Sequence, residues 1–371
     1  MEKTKVGIVF GGRSGEHEVS LMSAASIAKA IDHEKYEVVP LYITRQGRWL
    51  PPAQAQRVLQ TGKPEDEGTG VALIGDPTHR GLIRLHSADN VSSNGFESKV
   101  DVIFPVLHGT YGEDGTIQGL LELANVPYVG AGVMASAVGM DKEIMKDVFR
   151  SKGLPVVEYV MVKRKAVEEN LDELCNRIED RIPYPCFVKP VNLGSSVGIS
   201  KAKSRSQLQE ALKLAAQYDR KILVEAGVNC REIECSVLGN DEPIASEIGE
   251  VIPSNEFYDY EAKYFDDKTR LLIPADIPDD LRRIVQDMAV QAFLAMDCAG
   301  MARVDFFLSK DTNELFLNEI NTIPGFTQMS MYPRLWSAAG IDYPELIDRL
   351  IWLAMERHQD KNRSKTGFER E

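Results

Sequence analysis

Met301-Ala-Arg303-Val-Asp305-Phe-Phe-Leu308 and Leu315-Phe-Leu-Asn-Glu319-Ile-Asn321 are short, strongly apolar runs broken by charged and amide residues. Successive side chains on a strand point to opposite faces, so Arg303 and Asp305 share one face, and Glu319 and Asn321 share one face. If those faces adjoin, two carboxylates and an amide oxygen gather into an oxygen-only cluster, a donor set that suits Mg²⁺ bridging nucleotide phosphates rather than zinc. Arg303 would stand beside the metal as a charge stabiliser. The plainer alternative is an ordinary polar strand face. Against it, Asp and Asn are depleted within strands, and burying a carboxylate costs free energy unless something pairs with it.

Upstream, Phe257-Tyr-Asp-Tyr-Glu-Ala-Lys263-Tyr264 is aromatic and charged without a clean period. Its flanks, Pro253, Ser254 and Asn255 before and Asp266 and Asp267 after, suit a loop that closes over something; an exposed loop is the alternative. Farther back, a strand from Cys186 to Lys189 leads into the turn Asn192-Leu-Gly194-Ser195-Ser196-Val-Gly198. Such a loop can lay N–H groups and hydroxyls over phosphate oxygens while the lysine supplies charge, although a surface hairpin reads the same way.

At the other end, Val6 to Phe10 is a buried-strand pattern that stops at Gly11-Gly-Arg-Ser-Gly15, after which Val19, Met22, Ile27 and Ile31 fall at roughly helical spacing. Glu16 follows that turn, either facing a ligand or complementing the helix N-terminus. A second strand from Val38 to Ile43 precedes a weakly periodic segment, Arg45 to Lys99, which reads as an embellishment without an assigned role. Val100 to Leu107 is another strand and ends in His108-Gly109, the strand-end position where open α/β sheets bind ligands; His108 is either catalytic or a capped turn histidine. The first βα unit then closes near Gly130.

Helices are predicted from Met134 to Lys152, Val167 to Ile178, Asp279 to Met296 and Tyr343 to His358. Another starts from the Ser204–Gln207 capping-box spacing. Strands are expected at Ile222–Glu225, Glu232–Leu238 and Ile244–Ile252, and the polar end from Gln359 to Glu371 as a frayed tail. Gly130-Ala-Gly132-Val-Met-Ala135 matches a degenerate dinucleotide fingerprint, with Glu158 as its ribose acid. That match sits late in the βα series, and Glu158 lies farther on than the ~20 residues expected. A P-loop pattern does not occur.

The chain has 371 residues, with 43 Lys plus Arg against 56 Asp plus Glu, a formal charge of −13. That length suits two or three domains, and the acidic balance argues against a protein that coats nucleic acid or a membrane surface. Five scattered cysteines form no Cys-x-x-Cys pair, so neither a disulfide framework nor a zinc site is indicated. The N-terminal apolar stretch is too short for a signal segment, and no apolar run reaches the ~18 residues needed to span a bilayer. A cytoplasmic location is expected.

Taken in order, Gly11 through Ser20, His108 through Gly115, Met140-Asp-Lys142, Val188-Lys-Pro190 through Gly198, Tyr258 to Tyr264, Arg303-Val-Asp305 and Asn318 through Gly325 closely resemble the D-alanine–D-alanine ligase family of the ATP-grasp superfamily. The resemblance covers nearly the whole chain. It implies an α/β fold in three domains: an N-terminal open-sheet substrate-binding domain over 1–130, and two α+β domains that clamp ATP, over 131–225 and 226–371. It implies joining of two D-alanines through a D-alanyl phosphate for peptidoglycan precursor synthesis, with ATP as co-substrate, two Mg²⁺ or Mn²⁺ ions, and a homodimer.

By motif, Lys142, Lys189 and Lys263 resemble phosphate-binding lysines, with Ser195 and Ser196 in the loop above them and Phe257 in the ATP site. Glu225 and Glu232 resemble adenine-edge and ribose contacts. Asp305, Glu319 and Asn321 match the metal ligands. Glu16 corresponds to the acid that holds the first ammonium, grouped with Ser195 and Tyr264; His108 lies beside that substrate. Arg303 and the Gly325 backbone would stabilise the oxyanion, and Ser330 resembles a contact to the second carboxylate. Ala226 departs from relatives that carry lysine there, which puts an adenine contact through that side chain in doubt. Tyr264 fits the dipeptide-forming pattern, leaving a D-alanine–D-lactate ligase as the near alternative. An NAD-dependent oxidoreductase built on Gly130–Ala135 and a non-catalytic amino-acid-binding regulator are the distant ones.

Overall fold

The computed structural model describes residues 2–65, 70–78, 81–85, 96–195, 197–252, 270–365 and 367. Three sheets follow one another along the chain. The first contains β1 (Thr4–Gly11), β2 (Tyr36–Ile43), β3 (Trp49–Leu50), β4 (Val71–Leu73), β5 (Leu82–Arg84), β6 (Phe96–Ser98) and β7 (Val102–Val106), in the order β6-β5-β4-β3-β2-β1-β7. Strands β2, β1 and β7 are parallel, and the rest continue the sheet antiparallel beyond β2. The Arg45–Lys99 segment thus contributes four sheet strands, most too short to carry a readable alternation.

Side-chain alternation explains why this sheet is covered on both faces. Val6, Ile8, Phe10, Val102, Phe104 and Val106 pack in one core with the helices His17–Ala30 and Tyr343–Lys361, whereas Val9, Ile103 and Leu107 join Ile117 and Leu121 in another. The chain leaves β1 through Gly11 at φ +91°, where an added Cβ would lie 2.2 Å from the Ile43 carbonyl oxygen. Only glycine fits there.

The second sheet contains β8 (Tyr159–Lys163), β9 (Cys186–Pro190), β10 (Ser200–Ala202) and β11 (Lys221–Ala226), ordered β10-β9-β11-β8 and antiparallel throughout. Helix Arg205–Tyr218 covers it, and its N-cap Ser204 accepts from the Gln207 N–H, while the Gln207 side chain accepts from the Lys203 N–H. The third sheet contains β12 (Cys230–Gly239), β13 (Ile244–Ile252), β14 (Arg270–Leu272), β15 (Gly300–Ser309) and β16 (Leu315–Asn321), ordered β14-β13-β12-β15-β16 and antiparallel.

The helix expected from Met134 to Lys152 is two helices, Val133–Met140 and Lys142–Ser151. Asp141 breaks it: at φ −87°, ψ 96° it is extended, and its carboxylate accepts from the Ile144 N–H at 3.1 Å as an N-cap. The apolar period runs through both halves, so the break leaves no mark on it. Asn170, at φ −149° and ψ 58°, divides the next predicted helix into Arg164–Glu169 and Leu171–Glu179 without a side-chain cap. Ala135, Met145 and Phe149 pack into the core of the third sheet with Ile233, Val237 and Val304, not into that of the second. The lysines on Lys142–Ser151 therefore reach the site from the side of the third sheet.

Candidate active site

Strand alternation and register bring the opening motif together. Asp305 lies opposite Glu319 and Arg303 opposite Asn321 across β15–β16, with a bulge after Asp305. Arg303 is buried; its Nε and Nη2 donate to the two Asp305 oxygens at 2.7 and 2.6 Å, and Nε also lies 2.9 Å from Glu234 Oε2 on β12. Burial works against this charge, but Asp305 and Glu234 more than offset it and hold the guanidinium firmly protonated. Asn321 Nδ2 donates to Asp305 Oδ2 at 2.9 Å.

Facing this cluster is a knot of buried charge. Glu225 on β11 takes Lys146 Nζ on one oxygen at 2.9 Å and Lys189 Nζ on the other. Burial alone would raise the Glu225 pKa; the two ammoniums instead pull it down to about 2. Burial lowers the pKa of Lys142 and Lys146, whereas at Lys189 the Glu225 charge outweighs the same burial. Lys142 Nζ donates to the Leu193 carbonyl of the glycine loop at 2.7 Å and lies within electrostatic reach of Glu319, Lys189, Glu225 and Glu113. Glu232 acts on Lys189 from β12.

The glycine loop closes onto the first turn of the chain. Ser195, at φ +52°, donates to a Glu16 oxygen, and Glu16 is the N-cap residue of helix His17–Ala30. Gly109 and Gly194 flank that carboxylate: an added Cβ would lie 2.5 and 3.0 Å from Glu16 Oε2, respectively. A cavity of about 220 Å³ opens at the ends of β1, β2 and β7, bordered by Gly12, Ser14, Ile43 and His108.

His108 is buried, with Nδ1 3.0 Å from the Ile323 carbonyl and Nε2 3.2 Å from Ser23 Oγ. Glu113 accepts from the Gly109 and Ile323 N–H groups, so His108 and Glu113 together hold the turn that leads to Gly325. Beyond it, Ser330 Oγ accepts from the Thr327 N–H at 3.0 Å, and an added Cβ on Gly325 would lie 3.3 Å from that hydroxyl. Ser196, Phe257, Lys263 and Tyr264 lie outside the described residues.

Lys146, Glu234 and Glu113 have no role in the sequence reading. Lys146 falls one helical turn after Lys142, and Glu234 alternates with Glu232, so the spacing signals are present. Without the fold, both read as ordinary solvated charges.

The first glycine of the rival motif is engaged by the chain itself. Arg357 donates to the Gly130 and Tyr128 carbonyls and stacks 4.4 Å from the Tyr128 ring centroid, and an added Cβ on Gly300 would lie 3.0 Å from Gly130 N. Glu158 pairs with Arg150 and Arg181. The left-handed backbone accounts for Gly130, at φ +93°, and Glu158 is already paired, so the dinucleotide reading is set aside.

Residues 5–131 match the family model "D-ala D-ala ligase N-terminus", and residues 148–352 match "D-ala D-ala ligase C-terminus". The chain belongs to the D-alanine–D-alanine ligase family. It is 52% identical over 364 residues to the D-alanine–D-alanine ligase of Thermoanaerobacter sp. (strain X514), covering 98% of this chain and 99% of the relative. It is 48% identical over 368 residues to that of Natranaerobius thermophilus, covering 99% of each. Among solved structures, the family's ligase from Coxiella burnetii superposes with a TM-score of 0.79 at 37% identity, over 98% of this chain and 97% of that one. The VanG D-Ala:D-Ser ligase of Enterococcus faecalis superposes at 0.82 with 34% identity, over 95% and 100%. This membership gives an ADP-forming ligase with the three-domain ATP-grasp architecture.

Proposed function

We propose that the protein joins two molecules of D-alanine, using ATP and forming ADP. The observation that carries this reading is the position of Lys142, which bonds the glycine loop over Glu16 while sharing its charge environment with Lys189, Glu225 and Glu319. One site thus offers cations for phosphates and, across the loop, an anion for an amino-acid ammonium. Lys142 and Lys189 bind the phosphates, and Glu16, oriented by Ser195, takes the ammonium of the first D-alanine. The carboxylate of that D-alanine attacks the γ-phosphate and expels ADP to give an acyl phosphate; the second D-alanine, its ammonium having lost a proton to solvent, attacks the acyl carbonyl through nitrogen, and the tetrahedral intermediate collapses by releasing phosphate. Phosphoryl transfer needs positioning and charge neutralisation more than a protein nucleophile, which suits a site built of lysines, Arg303 and carboxylates. Arg303 and the Gly325 N–H stabilise the oxyanion, and Ser330 orients the second carboxylate.

Asp305, Glu319 and Asn321 are the groups to hold Mg²⁺ or Mn²⁺. Asp305 is already paired with Arg303, and the all-oxygen set it forms with Glu319, directly opposite, and the Asn321 amide oxygen suits a hard cation. When bound, such an ion neutralises charge on the transferring phosphoryl group.

The working form is a homodimer in the cytoplasm, acting on small molecules and on neither nucleic acid nor membrane. Leu123 and Met134 are 67% and 57% exposed on two packed helices, which supports self-association through that apolar surface. Among the described residues no helix is long and apolar enough to cross a membrane.

The test is phosphate release from Mg-ATP with D-alanine, L-alanine, or D-alanine plus D-lactate or D-serine, with mass spectrometry of products. Phosphate matched by D-alanyl-D-alanine is expected, and its absence with D-alanine overturns the reading. The mixed-substrate arms measure acceptor choice. Within this assay, Gly109→Ala is expected to raise the D-alanine KM about tenfold, the result of displacing a contact shared by ground and transition states. Its Cβ would meet Glu16 Oε2 from a backbone at φ +73°. An unchanged KM would mean that Glu16 does not contact substrate.

A further inference from the structure

Lys146 is 1% exposed, less than any other lysine among the described residues. It lies on the helix Lys142–Ser151, one turn after Lys142, while Met145 and Phe149 of the same helix enter the apolar core. Its ammonium makes two contacts: Glu225 Oε1 at 2.9 Å and the Asn318 carbonyl oxygen at 3.0 Å. Both partners adjoin the phosphate end of the site. The other Glu225 oxygen holds Lys189, and Asn318 immediately precedes Glu319 on β16. A mere strut between helix and strand needs no charge, and burying an ammonium is costly unless its attraction to fixed partners offsets the lost hydration.

Resting on the nucleotide reading above, we propose that Lys146 is a positioning residue for the phosphate-binding groups: by sharing Glu225 it limits that carboxylate's hold on Lys189, and by bonding the Asn318 carbonyl it fixes the strand that presents Glu319. Two ammoniums divide one carboxylate, so neither is bound as tightly as it would be alone. Lys189 is therefore free to exchange Glu225 for phosphate oxygens when nucleotide enters. Without Lys146, Glu225 would keep Lys189 to itself, and the Asn318 carbonyl would lose its buried donor. Both Glu225 carboxylate oxygens already hold lysines, so an adenine-edge contact at this residue falls to its backbone, which Lys146 does not touch, and the amino-acid contacts at Glu16 lie across the glycine loop.

The experiment compares wild type with Lys146→Met in equilibrium binding of ADP and of adenosine, and in steady-state phosphate release. A site that is wrong altogether is recognised separately, because wild type would then bind neither ADP nor adenosine and release no phosphate. In a wild type that does both, Lys146→Met is expected to weaken ADP about tenfold and raise the Mg-ATP KM similarly, with adenosine affinity and the D-alanine KM within about twofold. A purely structural role would weaken ADP and adenosine together. That result, or ADP affinity within twofold of wild type, overturns the proposal. Should Lys146→Met fail to fold, Lys146→Gln keeps a donor for Asn318 without the charge, and the same ADP-to-adenosine comparison applies to it.

Discussion

Glu319→Ala is expected to lower turnover by about three orders of magnitude while leaving the chain folded, which corresponds to losing the several kcal/mol that a metal-held phosphoryl oxygen contributes in the transition state. Glu319 is half-buried on the last strand of its sheet, directly opposite Asp305. Its removal opens no hole in the apolar core but takes a negative charge from beside Lys142, Lys189 and Arg303, so the melting temperature should fall by only a few degrees. Titrating Mg²⁺ into the phosphate-release assay separates a lost ligand from a lost shape: the half-saturating concentration should climb, and Glu319→Asp, which keeps an oxygen donor, should recover part of the rate. Turnover within tenfold of wild type would remove Glu319 from the reaction.

Arg303→Met should damage stability as well as rate. The guanidinium is the common partner of Asp305, which it grips with two nitrogens, and of Glu234 on the neighbouring strand. Deleting it leaves carboxylates inside a sheet without their counter-charge, a defect that costs about 3–5 kcal/mol when a buried pair is broken from one side. Arg303→Lys should rescue little, because a single ammonium cannot match the planar fork that meets both Asp305 oxygens. Urea unfolding of the three proteins reads the effect directly. A wild-type midpoint for Arg303→Met would show that neither carboxylate depends on it.

The parts of the site that alternate on strands are legible in the amino-acid sequence alone. Placing Arg303 with Asp305, and Glu319 with Asn321, needs only the two-residue period of a strand. Their mutual approach depends on register, which the fold supplies. The Ser204 cap and the glycine turns at Gly11 and Gly109 are likewise local, since turn and cap chemistry is written in adjacent residues. Lys146 is not legible: a lysine among Ile144, Met145 and Phe149 looks like the wet side of an amphipathic helix until β11 supplies Glu225. The break at Asp141 is hidden because the apolar period carries through it. Its carboxylate is held from outside as well, by Lys221 at 2.8 Å. Nor does composition reveal that Arg45–Lys99 extends the first sheet, since strands of two or three residues are shorter than the pattern that identifies them.

The cover that helix Tyr343–Lys361 gives the first sheet has a consequence for how the molecule is made. Leu346, Ile347, Leu350 and Ile351 lie against the same core as Val6, Ile8 and Phe104. A ribosome delivers those partners well over two hundred residues after β7, as the order of elements shows. At ~5–20 residues per second, the nascent sheet waits on the order of ten to fifty seconds after β7 emerges before its covering helix exists. During that interval helix His17–Ala30 covers only part of that β-surface and the rest stands open, so slowing translation or withdrawing chaperones is expected to lower the yield of folded chain.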